Sequence, residues 1–132
     1  MMNQKQMRDL DYFLSRGVLA GSRAWSTNFK ADADYDIFMY WADVPDDIKR
    51  SDSIVNYGQA AGVISVFYVI TAEGETINVQ TVKDPQTLYK FRLASLIMKQ
   101  LFPINDKVKR IKHWRHALTM ANVQPYREYT TD

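Results

Sequence analysis

Cysteine is absent from the 132 residues, which excludes a disulfide framework, a cysteine-ligated zinc site and a thiol nucleophile. Long apolar runs are missing as well. The opening residues MMNQKQMRDLDYFL hold no apolar leader core, and no later run approaches the length of a membrane span. There is no P-loop, no dinucleotide fingerprint and no Ser-His-Asp arrangement. Internal repeats and low-complexity tracts are lacking too. A thiol-free chain with neither leader nor span is expected in the cytoplasm, in a reducing compartment and without a membrane partner.

What is present is ordinary globular composition, 46 % hydrophobic and 24 % charged. At this length one domain is expected, over residues 1–122, with an extended tail at 123–132. The net charge is only +2, but it is unevenly spread. Asp32, Asp34, Asp36, Asp43, Asp46, Asp47 and Asp52 crowd the middle, whereas Lys107 to Arg115 is strongly basic. The asymmetry points to an acidic, cation-holding site beside a basic helix; a solvated basic face is the simpler account of the second half.

Met7, Leu10 and Leu14 lie at helical spacing and predict a helix over 4–15. Gly17 then permits a turn into a short strand, Val18-Leu19-Ala20, which Gly21-Ser22 ends. Residues 22–31 read as a short helix running into a loop. From Asp34 to Trp41 the pattern alternates: Asp34, Asp36, Phe38 and Tyr40 share one face, and Tyr35, Ile37, Met39 and Trp41 the other. Residues 43–60 read as a connection with a helical turn or two. Val63 to Ile70 predicts a central strand, residues 72–75 a turn, and Thr76 to Val82 its antiparallel partner. On that partner Ile77, Val79 and Thr81 face one way, Asn78 and Gln80 the other.

Asp84-Pro85 starts a helix, with Asp as N-cap and Pro at the first position. Leu88, Phe91, Met98 and Leu101 form a stripe, and Tyr89, Leu93, Leu96 and Ile97 a second apolar side, so packing on two flanks is expected. Pro103 breaks it. A last helix follows over 106–121, capped by Asn105 or Asp106. Val108, Ile111, Trp114 and Leu118 are expected inward, with Lys109, Lys112, His113 and His116 opposite. Tyr40, Trp41, Phe67, Tyr68 and Phe91 are assigned to the core. The order of elements predicts an α+β fold, a small mixed sheet flanked by helices with two of them C-terminal.

The stretch GSRAWSTNFKADADYD, from Gly21 to Asp36, carries the chemistry. A Gly-Ser at a strand end lets a phosphate approach bare backbone N–H groups. Two carboxylates side by side on one strand face repel, which a bound cation would resolve; a strand that begins in solvent with both acids hydrated is the alternative.

Gly21-Ser22-Arg23-Ala24 followed by Asp34-Tyr35-Asp36-Ile37 resembles the minimal nucleotidyltransferases of the polymerase-β-like superfamily, in which G-S-x-A-x-G leads to S-D-x-D and a hydrophobic residue. The likeness is strongest over residues 17–41, and the two last helices suit the small phage and bacterial members. The resemblance implies that Gly21 and Ser22 hold the β- and γ-phosphates of a nucleoside triphosphate, with ATP the expected one. It also implies that Asp34 and Asp36 are the catalytic acids and coordinate Mg²⁺. Arg23 and Lys30, close in sequence, are expected to help neutralise phosphate.

Three departures stand out. Ser26 falls where the motif has its second glycine. The spacing to Asp34 is one residue longer than the commonest version, and Asp32-Ala33-Asp34 offers a competing register, though Ile37 and Phe38 favour Asp34/Asp36. Family members also carry a third carboxylate on a neighbouring strand. Here that strand offers Asn78, with Gln80 on the same face. An amide oxygen can ligate a metal but cannot act as general base, and Glu73 and Glu75 near the turn are poor replacements.

The leading expectation is transfer of a nucleotidyl group from an NTP with Mg²⁺ to a hydroxyl acceptor, with the acceptor site supplied by a partner. A catalytically degenerate binding module, antitoxin-like or a phage inhibitor of a host protein, is the alternative. A third is nucleic-acid binding through Lys107 to Arg115, whose phosphate contacts would release counterions; Trp114 alone supplies no interleaved base-stacking platform.

Overall fold

The computed structural model describes residues 10–50, 62–101 and 103–123. Among the described residues five helices and four strands follow one another: α1 (Leu10–Arg16), β1 (Val18–Ala20), α2 (Ser22–Trp25), β2 (Tyr35–Tyr40), α3 (Asp46–Lys49), β3 (Val63–Ile70), β4 (Thr76–Val82), α4 (Pro85–Gln100) and α5 (Lys107–Met120). A single 3₁₀ turn, Trp41–Asp43, separates β2 from α3. The expected α+β class holds.

The sheet runs β1-β2-β4-β3. β4 enters between β2 and β3, parallel to β2 and antiparallel to its hairpin partner β3, while β1 pairs antiparallel with β2. Period-two alternation sends side chains to both faces of the sheet, which accounts for two cores. Against α4 and α5, the first core gathers Val18, Ala20, Trp25, Phe38, Val82, Phe91, Trp114 and Leu118. Its aromatic centre is a stack, with Phe38 and Phe91 rings 4.3 Å apart and nearly parallel at 13°. Across the sheet, Phe13 of α1 joins Ile37, Met39, Val44, Ile48, Phe67, Val69, Ile77 and Val79.

The caps follow their side-chain chemistry. Asp84 accepts from Thr87 N at 2.6 Å and Pro85 opens α4. Asp106, not Asn105, caps α5, accepting from Lys109 N at 3.0 Å.

Several side chains depart from the sequence pattern. Tyr89, Leu96 and Leu101 are exposed, so α4 packs chiefly through Leu88, Phe91, Ala94, Ser95 and Met98. Val108 is 57 % exposed rather than inward. At about 100° per residue, the packed stripe of α5 runs through 111, 114, 117 and 118, and residue 108 sits a quarter turn away from it. Tyr68, assigned to the core, is 56 % exposed: β3 is an edge strand, and its face carrying Ile64, Tyr68 and Ile70 is left open. Val123, placed in the tail, is buried, and its N–H reaches Leu118 O at 2.8 Å. The expectations for residues 4–9, 51–60 and 124–132 fall outside the described residues. No helix among the described residues is long and apolar enough to cross a membrane.

Candidate functional site

The β1–α2 turn is built around Gly21. Its φ of 74° and ψ of −161° lie in a region essentially reserved for glycine. Its second property is closeness: a Cβ there would collide with the Asp36 carboxyl. Gly21 therefore lets β1 turn sharply and lets Asp36 lie directly against the turn. Ser22 opens α2, and Gly21 O accepts from Ala24 N and Trp25 N, each at 3.1 Å.

Sheet register supplies the next wall. Asp36 on β2 pairs with Ala20 on one side and with Asn78 on the other. Asn78 donates through Nδ2 to Asp36 Oδ1 at 3.4 Å. Its own Oδ1, like Gln80 Oε1, is buried with no hydrogen-bond partner among the described residues. Two orphaned acceptors side by side on β4 are unusual in a folded protein and call for a donor or a cation.

The Asp36 carboxyl is pushed up to about 6, chiefly because burial disfavours its charge and secondly because Asp34 lies near. The Asn78 hydrogen bond and the charges of Lys107 and Arg110 oppose this. An ionised carboxylate is thus held where it lacks solvation, a condition that a bound cation relieves.

These walls enclose a cavity of about 460 Å³, lined by Gly21, Ser22, Asp36, Asn78 and Gln80 on the sheet side. Trp25, Phe38 and Trp114 form its apolar floor, and Lys107, Arg110 and Ile111 of α5 stand opposite. The volume lies in the range of small-molecule sites. Trp25 and Trp114 rings contact at 4.7 Å, and Trp25 Nε1 is anchored on Ser95 Oγ at 3.1 Å.

Of the residues singled out by sequence, Gly21, Ser22, Asp36 and Asn78 meet on this one cavity. Asp34 precedes β2, is exposed, and does not line the wall. Arg23 and Lys30 do not line it either. Arg23 instead fastens the loop after α2: Nε donates to Ala33 O at 2.9 Å and Nη2 to Ala31 O at 2.8 Å, with the guanidinium 4.0 Å from the Tyr35 ring centroid. His113 and His116 are exposed. No group of three or more His, Cys, Asp or Glu side chains gathers among the described residues, so Glu73 and Glu75 do not replace the acid missing at Asn78.

The cations that do face the cavity, Lys107 and Arg110, were legible only as part of a basic run. Their signal is the spacing 107, 110, 111, 114, which continues the packed stripe of α5 one turn upward. The remaining basic residues, Lys109 and Lys112, are exposed and do not line it.

The residues that could hold a metal here are Asp36 and Asn78 on the cavity wall, with Asp34 close to Asp36 but off the wall, and Mg²⁺ is the ion to weigh against them. This ion takes hard oxygen ligands and is held by one or two carboxylates together with substrate phosphates. Asp36, the nearby Asp34 and the unpaired Asn78 Oδ1 are oxygen donors of that kind. The chain matches no protein-family model, no curated protein and no solved structure.

Proposed function

We propose that this chain binds a nucleoside triphosphate with Mg²⁺ in the cavity and transfers its nucleotidyl group, slowly, to a hydroxyl acceptor, in the manner of the minimal nucleotidyltransferases it resembles. One observation carries the proposal: the Asp36 carboxyl is half-buried directly against the Gly21 turn. That arrangement brings a hard anionic ligand to the spot where Gly21 and Ser22 leave backbone approachable by phosphate. Asp36, with the nearby Asp34, would hold the metal, which would supply neutralisation of phosphate charge. Gly21 and Ser22 orient the phosphates.

Transfer is slow because Asn78, at the register position beside Asp36, is neutral and cannot take the proton of the attacking hydroxyl. That same amide favours a second reading, a module that binds nucleotide without turning it over and acts on a protein partner. Incubation with α-labelled ATP or GTP and Mg²⁺ separates the two. Label transfer or pyrophosphate release that disappears in Asp34→Ala/Asp36→Ala is the expected result. Nucleotide binding without any turnover would leave the binding module.

A further inference from the structure

We infer that α5 supplies the phosphate clamp of this site: Lys107 and Arg110 bind the β- and γ-phosphates across the cavity from Gly21 and Ser22, with Asn105 as the positioning residue, so the ligand must carry a polyphosphate. The inference rests on the nucleotide-binding proposal and adds to it which residues read the ligand.

Charge placement is the first ground. The cavity has an acid on the sheet wall and two cations on the helix wall, and both cations are felt by Asp36. A metal at the acid and phosphates between metal and cations would neutralise both walls together. Neither Arg23 nor Lys30 lines this space.

Preorganisation is the second. Arg110 Nη1 donates to Ile104 O at 3.0 Å and to Asn105 O at 2.8 Å. Nε and Nη2 remain, and a guanidinium edge is well matched to two phosphate oxygens. The loop that holds Arg110 is in turn tied to the end of α2. Ile104 N reaches Trp25 O at 2.9 Å. Asn105 Oδ1 accepts from Thr27 N at 3.0 Å, Asn28 N at 3.1 Å and the Ser26 hydroxyl. Through Asn105 the basic wall is therefore registered on the Gly-Ser segment it faces. Ser26, which stands where the motif has a glycine, is one of its donors.

Calorimetric titration of the full chain with Mg–ATP, Mg–ADP and AMP tests this. The wild type should bind in the order Mg–ATP, Mg–ADP, AMP. Lys107→Ala, an exposed position that leaves folding intact, should weaken Mg–ATP about tenfold or more and AMP less than twofold. Arg110→Ala should do the same, while Arg110→Lys recovers part of the loss and the outward Lys109→Ala changes nothing. Asn105→Ala should weaken Mg–ATP selectively, and Asn105→Asp, which keeps the accepting oxygen, should restore it. Tight Mg–ATP binding that is indifferent to Lys107→Ala and Arg110→Lys would overturn the clamp and leave the nucleotide site standing. A wild type that binds none of the three would overturn both.

Discussion

Asn78→Asp is expected to raise the rate of pyrophosphate release from Mg–ATP by about a hundredfold or more, the scale of a general base added at a working site. Asn78 sits beside Asp36 in the β2–β4 register, and its amide already reaches Asp36 Oδ1 at 3.4 Å. Its Oδ1 is buried and unpaired, so a carboxylate at this position needs no rearrangement of the strand. It would bring a proton acceptor and a charged metal ligand to the place where the amide supplies neither. The new acid also adds repulsion next to Asp36, so the substituted protein should melt lower without Mg²⁺ and recover with it. An unchanged rate in a variant that still binds Mg–ATP would mean that this position plays no part in transfer and would favour the binding module.

Asp36→Asn should have the opposite character, stabilising the metal-free protein while removing Mg–NTP binding. The Asp36 carboxyl is raised from 3.8 to about 6. Below 3.8 folded and unfolded chains both hold the proton, and the group contributes no penalty. Between 3.8 and about 6 the folded state keeps a proton that the unfolded state has released, so stability falls as pH rises. Above about 6 the penalty is complete, on the order of 3 kcal/mol for a shift of this size. Asn carries no charge to bury. Asp36→Asn should therefore melt roughly 10 °C higher than wild type at pH 8, with the difference vanishing near pH 3.5. Thermal melts across this pH range, in chelator, check it. A wild-type melting temperature that rises between pH 4 and 6.5 by more than the variant's would show that the carboxyl is stabilised where it stands.

The fold was legible wherever local chemistry and burial agree. β3 and β4 fall at their expected bounds because β-branched residues, a polar turn and strict alternation all mark them. Asp84-Pro85 marks the start of α4 just as plainly. Exposure was harder to read. Tyr68 looks like core in a run such as Val63 to Ile70, yet only topology reveals that β3 is an edge. In α5 a stripe begun at Val108 rather than at 107 misplaces its first turn by a quarter of the helix.

The site divides in the same way. Gly21, Ser22, Asp36 and Asn78 could be brought together from one strand end and two adjacent strands. Lys107 and Arg110 could not, because Gly21 and Ser22 lie more than eighty residues earlier, Asp36 more than seventy, and no local motif links them. Arg23 shows the converse: nearness in sequence suggested a phosphate ligand, but its guanidinium is held by the carbonyls of Ala31 and Ala33. Asn105, too, had a local signal as a helix cap and a different use, fastening α5 to residues 26–28.

The most direct test of the central claim is calorimetric titration of the wild type and Asp36→Ala with ATP and GTP, each with and without Mg²⁺. One-site binding of at least one of the two nucleotides to the wild type is expected, dependent on Mg²⁺ and lost in Asp36→Ala. Absence of binding by either nucleotide, or binding that ignores both Mg²⁺ and Asp36, would contradict it.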